Sequence, residues 1–204
     1  MNKVLMHPLA KPVFFVLALV PLALWVYGAF ADTLGANPAE AIIWGSGEWT
    51  IRFLMMALAV TPLRVTTGWI ALARWRRMIG LFSFFYGLIH LLSYSWLDQS
   101  LDVSAIIADI GRRPFILVGM LTFTILLVLA ITSPRAVVRA MGGARWQALH
   151  RTVYAAGLLA LLHFFWMRAG KNNFAEVELY AVIIFGLLGW RVWRSWKRRR
   201  AAMA

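Results

Sequence analysis

The chain has no cysteine. That excludes disulfides, thiolate-held zinc, iron–sulfur ligation and covalent haem attachment through C-x-x-C-H, so any metal here must rest on other ligands. Acids are scarce as well, 8 Asp and Glu against 21 Lys and Arg, giving a formal net charge of +13. A basic excess of this size can mark a nucleic-acid partner. Here the cations sit between apolar runs and not on one soluble face, so a membrane is the partner expected and nucleic acid is not.

What is abundant is apolar surface. Hydrophobic residues make up 62% of the 204 positions, and the mean hydropathy is +0.72. A soluble domain does not need that much; a polytopic membrane protein does. Six stretches approach or reach the roughly 20 helical residues that cross a hydrocarbon core: 12–30, 49–63, 78–97, 114–132, 148–167 and 177–193. The second is short, and Pro62 is expected to close or kink it. The fold class predicted is all-α, a six-transmembrane-helix bundle forming one domain over 1–204, with a short basic tail at 194–204. No internal repeat is evident, and no separate soluble domain fits.

Charge gives an orientation. Lys3, Lys11, Arg64, Arg74, Arg76, Arg77, Arg135, Arg139, Arg145 and the run from Arg191 to Arg200 fall at one set of helix ends. All 8 acids fall at the other. Basic clusters decide insertion, so both termini are expected in the cytoplasm. Arg52, Arg112, Arg113, Arg168 and Lys171 are exceptions, each near enough to an outer end to snorkel. Tryptophans such as Trp69, Trp75, Trp96, Trp146, Trp166 and Trp193 lie near helix ends, as an aromatic belt would. Ala29-Phe30-Ala31 resembles a signal-peptide cleavage site, but the apolar run before it exceeds the usual 7–15 residues of a signal core, so the first helix is expected to stay.

Three of the 4 histidines fall in these runs. At about 1.5 Å per residue, His90 lies roughly 18 Å and His163 roughly 22 Å above the inner helix ends, while His150 lies only about 3 Å in. His90 and His163 thus share a level in the outer half of the membrane. Histidines between membrane helices can simply bond neighbouring helices. Two at one depth on different helices also suit the axial positions of a b-type haem. Zinc suits them less, because it wants three or four ligands and no carboxylate or thiolate is expected at that depth. Gly87 and Gly80, on the His90 face, could admit a flat macrocycle or close helix packing. His150 and His163 would point about 140° apart on a straight helix unless a π-bulge, near Gly157 for example, realigns them. His7 reads as an exposed residue.

The stretches VTPLR (60–64), RRMIGLFSFFYGLIHLLSYSWL (76–97) and WQALHRTVYAAGLLALLHFFW (146–166) resemble the MsrQ (YedZ) family. Its members are haem-binding membrane subunits of bacterial methionine sulfoxide reductase systems, near the ferric reductase and NADPH oxidase transmembrane domains. The resemblance covers nearly the whole chain. It implies a multi-pass inner-membrane cytochrome b that passes electrons outward to a periplasmic MsrP-type molybdoenzyme, which repairs oxidised methionines, and that is not itself the catalyst. It further implies haem b, FMN, and electrons from the quinone pool or a cytosolic flavin reductase.

By the same resemblance His90, His150 and His163 are the functional histidines. The wider superfamily uses two histidines on each of two helices for two haems; here Arg77 stands thirteen residues before His90, so a second bis-histidine haem lacks a ligand. Arg77 and Arg151 could instead hold a propionate or a flavin phosphate at the inner face, and His150 could ligate or contact such an inner cofactor. The rival reading is a proton-coupled transporter using intramembrane histidines; it would call for broken helices and an intramembrane carboxylate. The outer loops 31–48, 98–111 and 168–176 face the compartment of the expected partner. Trp44, Asp98 and Asp102 are expected on that contact surface.

Overall fold

A computed structural model describes residues 2–169 and 174–203. Lys171 and part of the loop 168–176 lie outside the described residues. The described chain is helical, with no strand: α1 (Asn2–Met6), α2 (Ala10–Phe30), α3 (Pro38–Thr67), α4 (Arg76–Ser93), α5 (Val103–Arg112), α6 (Pro114–Ile131), α7 (Arg135–Met141), α8 (Gly143–His150), α9 (Val153–Ala169) and α10 (Ala175–Ala201). Four segments are long and apolar enough to cross a membrane: Ala10–Phe30, Arg76–Asp98, Pro114–Ile131 and Gly143–Ala169. Helices α3 and α10 have the length, at 30 and 27 residues, but carry charges along it.

The second helix departs most from expectation. It begins eleven residues before Trp49, where the Asn37 side chain accepts Glu40 N–H at 3.1 Å and Pro38 occupies the first turn, both strong start signals. Pro62 does not close it. The missing N–H of Pro62 leaves the Leu58 carbonyl unpaired, and the Arg191 guanidinium from α10 donates to that oxygen. The helix ends instead at Gly68, whose φ of 71° is the left-handed conformation glycine tolerates.

Other boundaries move too. The fifth run is divided by a turn at Arg151–Thr152, so His150 ends α8 and His163 belongs to α9. No π-bulge occurs at Gly157, which is in regular α-helix; the π-turn is at Tyr94–Asp98, directly after α4. The basic tail is not a separate coil, since α10 runs on to Ala201.

Two antiparallel hairpins form the frame. In one, α3 packs on α4, with Ile43 meeting His90 at one end and Thr61 meeting Arg76 at the other. In the second, α6 packs on α9, Phe115 meeting His163, while Thr132 beyond the far end of α6 meets His150. Stacked rings of Phe53, Tyr86 and Phe82 fill the first hairpin, with Trp75 buried in the same cluster. Leu54, Leu126, Ala156 and Ile184 join the second hairpin to α3 and α10.

The acidic helix ends converge. Arg168 bridges Glu48 at 3.1 Å and Glu176 at 2.5 Å, Arg52 bridges Glu48 at 2.8 Å, and Arg113 pairs with Asp109 and, at 3.7 Å, with Asp98. Arg52, Arg113 and Arg168 therefore do not snorkel alone; each has a carboxylate partner.

Candidate functional site

Both hairpins build the same local device. His90 donates its Nδ1–H to the Ile43 carbonyl at 2.8 Å, and His163 donates to the Phe115 carbonyl at 2.6 Å. A carbonyl can only accept, so this fixes the tautomer and leaves each Nε2 as the lone-pair nitrogen. One turn after each carbonyl comes a glycine, Gly47 and Gly119. A side chain there would lean back over the preceding turn and cover that carbonyl. A Cβ on Gly119 would lie 2.8 Å from His163 Cε1, and one on Gly47 would lie 3.1 Å from His90 Cε1. The glycines are what let the rings reach the backbone.

The correspondence extends further. Thr50 and Thr122 each follow their glycine by three residues, line the same cavity, and turn their hydroxyls back to Ser46 and Val118 carbonyls at 2.8 Å. Small residues, Gly87 and Ala160, precede the two histidines by three. The sequence carries this as two G-x-x-T matches, each with a histidine 47 or 48 residues after its carbonyl partner. It is a repeat that apolar patterning alone does not reveal.

The two imidazoles come together with ring centres 6.1 Å apart and planes at 83°. A single metal ion between two imidazoles, at bonds of about 2 Å, sets ring centres about 6 Å apart. They face a cavity of about 530 Å³, within the range of small-molecule and cofactor sites. Among the described residues no group of three or more His, Cys, Asp or Glu could hold a metal. A two-imidazole set fits a metal that brings its own equatorial donors, as an iron porphyrin does. Partners for carboxylates are at hand too: Arg113 and Arg168 line the cavity, and among the described residues nothing hydrogen-bonds the buried Arg168 Nε. One expectation needs correction. Glu48 lines the same cavity, because α3 starts earlier than its apolar run does; its carboxylate is already paired with Arg52 and Arg168.

Of the two glycines singled out in the sequence, Gly87 lines the cavity and Gly80 does not. A Cβ on Gly80 would meet nothing within 4 Å, and one on Gly87 would make only ordinary contacts at 3.5 Å or more.

His150 stands apart at the other end of α6. Its Nε2 lies 3.1 Å from Thr132 Oγ1, and its ring stacks on Trp146 at 3.9 Å. Arg77 opens onto a separate groove with Lys11, Arg74 and Arg135. Arg151 is exposed and does not line that groove, so the structure does not bring Arg77 and Arg151 to one site. His7 is exposed, as expected.

Of the expected contact residues, Trp44 lines the histidine cavity under the Arg168 guanidinium, 4.6 Å from its ring centre. Asp98 sits at the cavity rim. Asp102 is the N-cap of α5: it accepts the N–H groups of Ser104 at 2.8 Å and Ala105 at 3.1 Å, which hold its carboxyl below the usual range.

Comparison with known proteins adds the family. Residues 46–161 match the model of the ferric reductase like transmembrane component. A protein of Polaromonas naphthalenivorans named as the heme-binding subunit MsrQ of protein-methionine-sulfoxide reductase is 58% identical, over 98% of this chain and 91% of its own. Proteins of the same name from Bordetella pertussis (50% identical, 94% of this chain and 93% of its own) and Rhodospirillum rubrum (47%, 93% and 90%) also match. No solved structure matches. With the family model matching from α3 into α9 and relatives of 47–58% identity matching over 93% or more of the chain, the chain belongs to the MsrQ family of ferric reductase-like transmembrane proteins.

Proposed function

We propose that the chain is a membrane cytochrome b that carries electrons across a bacterial inner membrane to a periplasmic MsrP-type molybdoenzyme. One observation carries this reading: two backbone-anchored imidazoles at 6.1 Å on one cavity. In it, His90 and His163 would hold a haem b, which would supply one-electron chemistry when bound. Gly47 and Gly119 give each ring its place, and the Ile43 and Phe115 carbonyls hold the tautomer. Arg168 and Arg113 are suited to propionate carboxylates. The six long helices α2, α3, α4, α6, the α8–α9 pair and α10 cross the membrane, and 1–204 form one domain with cytoplasmic termini. The ion pairs Glu48–Arg168–Glu176 and Arg52–Glu48 let α3 and α10 carry charge near the outer surface. The test is the visible spectrum of purified protein with iron and porphyrin counted per polypeptide. A reducible low-spin b spectrum is expected, and absence of porphyrin sinks the reading.

The donor side is proposed at the inner face, where electrons arrive from the quinone pool or a cytosolic flavin reductase and FMN is the expected second cofactor. His150 is the residue we assign there. The Thr132 hydroxyl donates to Val128 O, so His150 Nε2–H donates to Thr132 Oγ1 at 3.1 Å while Trp146 covers one ring face, and the role we assign is contact of this held ring with a cofactor edge. Arg151, next in the chain, is a separate anion partner, while Arg77 serves the groove it shares with Lys11, Arg74 and Arg135. His150→Ala is expected to keep the His90/His163 spectrum and its reduction by dithionite, but to lose reduction by the cytoplasmic donor. Normal donor-driven reduction would return His150 to a joint between α6 and α8.

The partner surface is proposed around the cavity rim, at Trp44, Asp98 and Asp102. Asp102 holds the N-terminus of α5, so a charge reversal there would also remove a cap. Asp98→Lys with Asp102→Asn, which keeps the cap and drops the charge, is the cleaner variant. Electron transfer to the partner should slow severalfold at low salt and converge on wild type at high salt. Equal rates across the salt series would remove these residues from the surface.

A further inference from the structure

A second groove, about 640 Å³, opens between α2, the start of α4 and the start of α7. Its charged end is made by Lys11, Arg74, Arg77 and Arg135, and among the described residues no carboxylate lines it. Among the described residues, none of the four cations has an ion pair with a carboxylate. Four like charges converging without a counter-ion repel one another, and an anion between them would remove that cost. The rest of the wall is apolar: Phe15 and Leu19 from α2, and Leu81, Phe82 and Phe85 from α4. Phe15 and Phe82 meet at 5.3 Å between ring centres. Along α2 the neighbouring side chains Val16, Leu17 and Val20 are exposed, so the groove opens toward the region lipid would fill.

A soluble anion would need the cations but gain nothing from that wall. A ligand with a phosphate at one end and hydrocarbon at the other uses both. We propose that this groove is a specific binding site for an anionic phospholipid, its phosphate held among Lys11, Arg74, Arg77 and Arg135 and its acyl chains lying against Phe15, Leu19 and Phe85. Basic pockets between helices at the inner face of a membrane suit such headgroups, and each cation strengthens the attraction separately. The phosphate chemistry is shared with a flavin nucleotide, so the test must separate the two.

The probe is dioleoylphosphatidylglycerol, titrated into the delipidated full-length protein in neutral detergent and followed by native mass spectrometry. Dioleoylphosphatidylcholine and FMN serve as the comparison arms. Wild type is expected to retain the anionic lipid well above phosphatidylcholine. Lys11→Gln/Arg74→Gln/Arg135→Gln should bind it on the order of 100-fold more weakly. If that variant does not fold, wild-type retention measured against salt takes its place: it should fall with ionic strength for the anionic lipid and stay flat for phosphatidylcholine. Equal retention of the two lipids, or a salt-independent one, overturns the proposal. So does displacement of the lipid by FMN at equal concentration, which would assign the groove to a nucleotide phosphate.

Discussion

His90→Ala and His163→Ala are each expected to abolish the reducible low-spin spectrum while leaving the fold intact. The two imidazoles face one another across 6.1 Å, so either substitution removes half of a two-ligand set. No third histidine can substitute, because His150 is one α6 length away and bonded to Thr132. The backbone does not suffer. Ile43 O and Phe115 O remain within α-helices, where the amide four residues on still satisfies them. Loss of haem without loss of helical content by circular dichroism separates a ligand from a packing residue. If either variant kept a wild-type spectrum and full porphyrin content, the pairing would be wrong. His7→Ala, at an exposed residue outside both hairpins, should change nothing.

Much of this site is legible in the amino-acid sequence. Depth counting places His90 and His163 on one level, and their rings do meet at 6.1 Å, although the count for His163 crosses the turn at Arg151–Thr152 that divides α8 from α9. It also separates His150, and the Thr132 contact at the far end of α6 agrees. What depth counting misses is set by partners far away in the chain. The N-terminal part of α3 reads as polar because Glu40 and Glu48 interrupt its apolar run. It is helical nonetheless, with Asn37 and Pro38 starting it and Arg168, 120 residues on, neutralising Glu48. Pro62 reads as a stop signal, yet the helix continues, and Arg191, 133 residues after Leu58, takes up the Leu58 carbonyl that the proline strands. Trp75 reads as an interfacial ring by its position and is buried by α1 and α2, its Nε1–H donating to Leu5 O at 3.3 Å. In each case the local signal is sound, and a long-range contact outweighs it.

The glycines make the sharpest remaining test, because the same substitution should act in opposite directions at different sites. In an exposed helix, Gly→Ala is favourable by roughly 0.5–1 kcal/mol, since alanine loses less backbone freedom on folding. Gly80 is half-buried but has nothing within 4 Å of a new Cβ, so Gly80→Ala should be neutral or slightly stabilising with an unchanged spectrum. At Gly119 the new Cβ would sit 2.8 Å from Cε1 and 2.9 Å from Nδ1 of His163. The ring cannot slide along its own hydrogen bond to Phe115 O, held at 2.6 Å, so it must tilt or α6 must move from α9. Overpacking of that kind costs about 1–3 kcal/mol and reverses the helix gain. Gly47 is intermediate: the contacts would be 3.1 Å and 3.2 Å to the His90 ring, so a few tenths of an ångström of give suffices. The expected order of damage to haem content and to the low-spin signal is therefore Gly119→Ala, then Gly47→Ala, with Gly80→Ala at wild-type level. Gly119→Val should exceed Gly119→Ala, since a branched side chain also covers the Phe115 carbonyl that fixes the tautomer. Visible and electron paramagnetic resonance spectra of the four variants at matched protein concentration read this order directly. If Gly119→Ala matched Gly80→Ala, close seating of His163 on α6 would not govern its ligand geometry, and the correspondence between the two hairpins would have no bearing on function.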